Sequence, residues 1–299
     1  MKPSPFDYHR PAGLGEALQT LAETGSHGKV LAGGQSLIPL LNMRLAAPGH
    51  LVDINGLTEL ATISADASGV RVGALARHAA VERAGSARAV QPLLAQALAL
   101  VAHPVIRNRG TVVGSLVHAD PSAEMPAVLA LLGGSVRLAR LGGERDVHAR
   151  DFFVGPLESA CLPGEMAVSA FFPALPERSG TAFCEVARRH GDYAVAGVAA
   201  AVTLDEDFRI TAARVACVSV GPVPVVVDVT GVCGPRPPAS VDWDEVARAV
   251  QDRIEPEDDI HATAGYRRHL TGVLVTRALR GAAQDAAQST AHDAGEGRA

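Results

Sequence analysis

A chain of 299 residues, 47% hydrophobic but only 4% aromatic, has material for one large core or two moderate ones, built mostly from Ala, Val and Leu. The formal charge of −5 excludes the basic footprint of a nucleic-acid binder, and no apolar run approaches the roughly 18 residues of a membrane span. Met1-Lys2-Pro3-Ser4-Pro5 holds no apolar signal region, so the chain reads as cytoplasmic. Cys161, Cys184, Cys217 and Cys233 are scattered without a C-x-x-C pair. Iron–sulfur and structural zinc sites announce themselves by close cysteine spacing, so these four read as small buried apolar residues. No H-E-x-x-H, G-x-S-x-G or P-loop motif is present.

In chain order, Pro5 to Pro11 reads as an entry strand. Leu14 to Thr24 follows as a helix, with Leu14, Ala17, Leu18 and Leu21 at helical spacing. Val30 to Ala32 is a short strand that stops at Gly33-Gly34, passes Gln35-Ser36, and resumes at helical spacing from Leu37 to Leu45. Glycines let the backbone turn and approach a ligand closely. The amides of Gly34, Gln35 and Ser36 would then point outward near a helix start, a ready phosphate site, although a tight turn reads the same way. Leu51 to Ile54 is another strand. Gly33 and Asp53 stand twenty residues apart, as in a dinucleotide fingerprint, but G-x-G-x-x-G is missing, so Asp53 reads as a turn or structural residue.

Further on, Thr62 to Ser64 and Gly69 to Gly73 read as strands around a turn, Ala79 to Ala84 as a short helix, and Leu93 to Val101 as a longer one. Arg107-Asn108-Arg109-Gly110-Thr111-Val112-Val113-Gly114-Ser115 is a second glycine and hydroxyl-rich loop. Two such loops suit the two phosphates of one dinucleotide, through backbone amides and the Ser36, Thr111 and Ser115 hydroxyls. Pro126 to Leu132 is an apolar helix, and Glu165 to Phe172 a closing strand. Pro173 to Gly180, rich in Pro, Gly and charge, is the expected domain boundary. Ala194 to Leu204 and Ile210 to Val220 form a hairpin across Asp205-Glu206-Asp207. Asp242 to Val250 and Thr263 to Leu279 are helices. The stretch from Ala282 onward lacks apolar periodicity and reads as disordered.

The segments Ala32-Gly33-Gly34-Gln35-Ser36, Ile106 to Ser115 and His118-Ala119-Asp120-Pro121-Ser122-Ala123-Glu124-Met125-Pro126, in this order and spacing, resemble the FAD-binding medium subunit of the molybdenum hydroxylases. Arg188-Arg189-His190-Gly191-Asp192-Tyr193-Ala194 sits where that family has its own turn, and the resemblance covers roughly residues 3 to 281. It implies an α+β fold: a two-lobed FAD-binding domain of the vanillyl-alcohol-oxidase type plus a C-terminal sheet-and-helix domain. The expected domains are 1–176 (lobes about 1–56 and 57–176) and 177–281, with a disordered tail over 282–299.

By the same resemblance FAD is held by Val30, Leu31, Ala32, Gly33, Gly34, Gln35, Ser36 and Leu37, and by Thr111, Val112, Val113, Gly114 and Ser115. Glu124 stands near the flavin nucleotide and Tyr193 beside the isoalloxazine ring. No catalytic or metal residue is expected in this chain. Molybdopterin and [2Fe-2S] clusters are expected on a large and a small partner subunit, in a dimer of heterotrimers, with this chain passing electrons to a terminal acceptor. Two departures stand out. Val113 replaces a family glycine, and Glu185 stands where some relatives carry a flavin-holding lysine. They motivate one alternative, a non-redox assembly subunit that has lost FAD; the other alternative is a free-standing flavin oxidoreductase with its own substrate pocket.

Overall fold

The computed structural model of the chain describes residues 2–296, with side chains through residue 288. The first lobe is β1 (Asp7–His9), α1 (Leu14–Thr24), β2 (Gly28–Leu31), α2 (Leu37–Met43) and β3 (His50–Asp53). Because a helix separates each strand from the next, the three strands run parallel, with β3 between β1 and β2. Ala17 and Leu21 give α1 its buried face, at the spacing the sequence predicts.

The second lobe runs through β4 (Ile63–Asp66), β5 (Gly69–Gly73), α3 (His78–Arg83), α4 (Gly85–Val90), α5 (Pro92–Leu98), α6 (Pro104–Arg107), α7 (Val112–His118) and α8 (Glu124–Leu132). It closes with β6 (Ser135–Arg140), β7 (Gly143–His148), α9 (Ala149–Phe152), β8 (Phe153–Gly155), β9 (Glu158–Ser159) and β10 (Met166–Pro173). Five of the strands make an antiparallel sheet in the order β4-β5-β10-β6-β7. All of α8 except Ala130 is buried. A helix apolar on every side must be covered on every side, and α8 packs against α5 and α7 in its own lobe and against strands of the third unit.

That third unit comprises β11 (Ser179–Ala187), β12 (Ala194–Leu204), β13 (Ile210–Val218), β14 (Val225–Asp228), α10 (Thr230–Cys233), α11 (Trp243–Gln251) and α12 (Ala264–Glu296). Its antiparallel sheet is ordered β11-β12-β13-β14. Alternation along each strand sends Phe183, Ala199, Ala216 and Val218 into the core shared with the first two lobes. Ala182, Cys184, Ala196, Val198 and Cys217 turn the other way, toward α11 and α12.

The structure corrects the sequence reading in three places. The disordered tail is instead the end of α12, with Ala282, Ala283 and Ala286 buried; only residues 297–299 lie outside the described residues. The helix backbone sits directly on β11. A β-carbon on Gly180 would come within 2.2 Å of the Ala282 carbonyl oxygen, so alanines fill a gap too narrow for the larger residues that mark an amphipathic helix. The second glycine loop is not a loop from Val112 onward but the first turn of α7. Strands β7, β11 and β14 are unforeseen, and β11 starts inside the stretch read as a boundary. Among the described residues no helix is long and apolar enough to cross a membrane.

Candidate functional site

Strand β2 carries Val30 and Leu31 to the edge of its sheet, Ala32 to Ser36 form the loop, and Leu37 opens α2. Gly34 has φ +73°, the left-handed region, and a β-carbon there would meet Ile38 at 3.1 Å and Leu31 at 3.2 Å. The Gly34 carbonyl accepts from the Ile38 amide at 3.0 Å, and Gln35 Nε2 donates to the Gly33 carbonyl at 3.0 Å. The amides of Gly33, Gly34, Gln35 and Ser36 donate to no acceptor among the described residues. Four consecutive amides left without an internal acceptor are available to an anion, as half-buried turn amides are also available to water.

The second segment lies against the first. A β-carbon on Gly33 would stand 2.7 Å from the Arg109 carbonyl oxygen and 2.8 Å from Gly110 Cα. This segment is mostly satisfied internally, with acceptors for the amides of Gly110, Val112, Gly114 and Ser115 but not for those of Thr111 and Val113. Thr111 caps α7, its Oγ1 accepting from the Gly114 amide at 3.1 Å. A β-carbon on Gly114 would fall 2.5 Å from that hydroxyl, so glycine leaves the room the cap needs. The Gly110 carbonyl accepts from the His78 amide at 3.0 Å, and the Val112 amide donates to Ala76 O at 3.2 Å. Val112 and Val113 are core residues. Val113 is helical, so its place carries no demand for positive φ. Behind Gly110 lies the buried His78 ring, which burial holds neutral, with its pKa down to about 4.

Glu124, only 9% exposed, is the first residue of α8. Burial, with Asp120 adding to it, pushes its carboxyl up to about 7. Facing it from β11, on the same side of the sheet as Phe183, is Glu185, whose Oε2 is buried without a hydrogen-bond partner. Burial first and Glu124 second push Glu185 up to about 8. Two carboxyls in one desolvated place cannot both ionise readily, so the pair holds protons near neutral pH.

The Arg188 to Tyr193 turn stands beside the Asp120 to Glu124 segment. Gly191 has φ +85°, and a β-carbon there would strike the His103 ring at 2.6 Å, so the turn leans on the segment ahead of α6. Tyr193 is 62% exposed, which argues against a plain packing role. Its hydroxyl end is desolvated beside Asp120 and Glu124 and is pushed up to about 12. The Ser219 amide donates to Pro121 O at 2.9 Å and Ser219 Oγ to Ala194 O at 2.6 Å, holding this wall to the third unit. Every site residue expected from the sequence therefore lies on one of three connected segments or on the turn beside them. Unforeseen were the pairing of Glu185 with Glu124 and the presence of Asn55 and Arg77 between the two phosphate segments. Only an Asn-Gly turn signal at Asn55 hinted at any of these.

The family described as FAD binding domain in molybdopterin dehydrogenase matches residues 4–175, and that described as CO dehydrogenase flavoprotein C-terminal domain matches residues 181–282. The alpha subunit of the 6-hydroxypseudooxynicotine dehydrogenase complex from Paenarthrobacter nicotinovorans is 40% identical, over 93% of this chain and 95% of its own. The solved quinoline 2-oxidoreductase from Pseudomonas putida 86 has a chain 35% identical with TM-score 0.89, covering 96% of this chain and 99% of that one. A carbon monoxide dehydrogenase from Hydrogenophaga pseudoflava matches at 33% identity and TM-score 0.88, covering 94% and 98%. Two domain matches covering most of the chain and full-length likeness to solved structures lead to one conclusion: the chain belongs to the FAD-binding medium subunits of the molybdenum hydroxylases, FAD-dependent oxidoreductase components.

Proposed function

We propose that this chain is the cytoplasmic electron-transfer subunit of such a complex, with a large molybdopterin subunit and a small iron–sulfur subunit as its partners, assembled as a dimer of heterotrimers. FAD, when bound, supplies a centre that accepts electrons singly from the [2Fe-2S] clusters of the small subunit and releases them in pairs to a terminal acceptor. The observation that carries this reading is the seam at Gly33, where the first loop, with its four amides that have no internal acceptor, packs on Arg109 and Gly110 just ahead of α7.

Each part of the groove then has a task. The amides of Gly33 to Ser36 and the hydroxyls of Ser36 and Ser115 bind the diphosphate, whose charge must be matched when it leaves water. A hydrogen bond to a charged group contributes about 1.5–3 kcal/mol. Val30, Leu31 and Leu37 fix the ends of the first loop, and Thr111 to Gly114 fix the second. Glu124 accepts from, or when protonated donates to, hydroxyls of the cofactor's sugar portion. Tyr193 covers an aromatic face and limits water access to it.

The test is a stopped-flow record of flavin bleaching after addition of the complex's organic substrate. Bleaching is expected only when the chain is assembled with both partners. Rapid bleaching of the FAD-loaded chain by itself would instead assign it a substrate site of its own.

A further inference from the structure

Asn55 and Arg77 lie between the two phosphate segments and belong to neither. Asn55 follows β3, where the Asp53 carboxylate accepts from its backbone amide at 2.9 Å and from its Nδ2 at 2.6 Å. Tyr8 donates its hydroxyl proton to the other oxygen of Asp53. Asn55 Nδ2 also donates to the Ala32 carbonyl at 2.8 Å, at the start of the first loop. Asn55 Oδ1 accepts from Arg77 Nη2 at 2.6 Å. Arg77 Nη1 donates in turn to the Arg109 carbonyl, the same oxygen on which Gly33 packs. A continuous strap of side-chain hydrogen bonds thus runs from Ala32 through Asn55 and Arg77 to Arg109, tying one segment to the other beneath the seam.

A guanidinium suits this place because its planar fork reaches two acceptors in fixed directions. Both acceptors here are neutral. Among the described residues no carboxylate stands within salt-bridge distance of Arg77. Burial and the neighbouring Arg109 act against its charge, and only Asp53 acts in its favour. The strap therefore holds an under-neutralised cation at the carbonyl on which Gly33 of the first loop packs. Were the strap purely structural, an uncharged bridge would serve as well, without the cost of desolvating a cation.

We propose that Arg77, held by Asn55, is a positioning residue for the cofactor's diphosphate, setting the separation of the two segments and supplying positive charge at their seam. This rests on the reading that those segments hold the diphosphate of FAD. It adds a residue from outside both of them, and a clamp that operates before the cofactor arrives.

The experiment uses the full chain stripped of flavin, as wild type, Arg77→Met, Arg77→Lys and Asn55→Leu. FAD affinity is measured by quenching of flavin fluorescence at low and high salt, and the flavin-free Tm is recorded for each. Removing a charge-assisted pair of hydrogen bonds should raise the Arg77→Met Kd about 10- to 100-fold. It should also flatten the salt dependence and move the flavin-free Tm by less than about 5 °C. Arg77→Lys should lose about 3- to 10-fold, because one ammonium cannot bridge both acceptors, and should retain the salt dependence. Asn55→Leu should fall between the two. Affinity of Arg77→Met within threefold of wild type overturns the proposal. So does an equal loss in all three variants with unchanged salt dependence, which would make the strap structural only. A wild-type chain that takes up no FAD would instead overturn the reading beneath it.

Discussion

Ala32 to Ser36 and Gly110 to Ser115 face one another across one seam, yet the second makes more of its hydrogen bonds within the protein: the amides of Gly110, Val112, Gly114 and Ser115 have acceptors, and only those of Thr111 and Val113 have none among the described residues. Thr111 caps its own helix, Gly114 makes room for that cap, and the backbone is bridged to Ala76 and His78. The first leaves four consecutive amides free and depends on Gly34 at positive φ and on the strap through Asn55. In sequence the two look alike, as glycines and hydroxyls before an apolar run. Physically the second is largely held within the protein, and the first leaves its donors open; on the proposed function they are completed by what the loop binds. Stability and affinity should therefore separate between them on mutation.

The largest effect is expected where the two touch. A side chain at Gly33 meets the Arg109 carbonyl at 2.7 Å, and backbone cannot yield as a rotamer can. Gly33→Val should therefore push the segments apart and weaken FAD binding at least about 100-fold, roughly 2.7 kcal/mol. The second core lies away from the seam and should stay folded. Flavin-to-protein ratio and far-ultraviolet circular dichroism of the purified variant report the two parts separately. A yellow, stoichiometrically loaded variant would mean that the seam is not where the cofactor is gripped.

What was legible in the sequence follows from the same contrast. Periodicity found α1 over its full span, because Ala17 and Leu21 recur on one buried face. It found β12 and β13 because alternating small residues pack both faces of that sheet. It missed the end of α12, where alanines alone fill the narrow space over Gly180, and it read α7 as loop because Gly114 masks the cap that it serves. The two glycine segments that meet at Gly33 were singled out by local composition joined to family resemblance. Asn55, Arg77 and the facing of Glu185 with Glu124 were not, because each depends on a contact between residues more than twenty positions apart. No local pattern encodes such a contact.

The opposite wall sharpens the comparison through pH. Glu124 and Glu185 take up protons more readily folded than unfolded, about 7 and about 8 against a usual 4.5. Their contribution to stability is thus complete below about pH 4.5 and is lost as pH rises through 7 and 8. Asp120 adds to the cost of ionising Glu124, and the Tyr193 hydroxyl lies beside both Asp120 and Glu124. For the pair the fall should be a few kcal/mol at most, well below what two full shifts would give, because Glu185 is partly exposed and solvent screens it. The buried His78, held neutral with its pKa down to about 4, adds stability as pH rises toward 6.5, so the pair is read from the difference between wild type and Glu185→Gln. In chemical denaturation of the flavin-free chain from pH 5 to pH 9, wild type should lose stability relative to Glu185→Gln as pH rises; a difference that does not change with pH would show the pair ionised at neutral pH.

The smallest effect divides the two glycine segments most directly. The Thr111 hydroxyl completes a helix cap, whereas Ser36, at the corresponding place before α2, makes no side-chain cap. Thr111→Val removes an internal acceptor from the Gly114 amide, which should cost about 1 kcal/mol of stability in the flavin-free chain. Thr111→Ser should restore most of it. Ser36→Ala removes nothing that the protein uses internally, so the flavin-free Tm should stay within about 1 °C, since substitutions away from caps and cores are usually within about 0.5 kcal/mol. If Ser36 donates to the diphosphate, the same change should weaken FAD binding about 3- to 10-fold. The pair is thus expected to cross over, with Thr111→Val reporting mainly in melting and Ser36→Ala mainly in affinity. Equal behaviour in both measurements would mean that the two hydroxyls do the same work, and the distinction between a segment held within the protein and one completed by its ligand would fail.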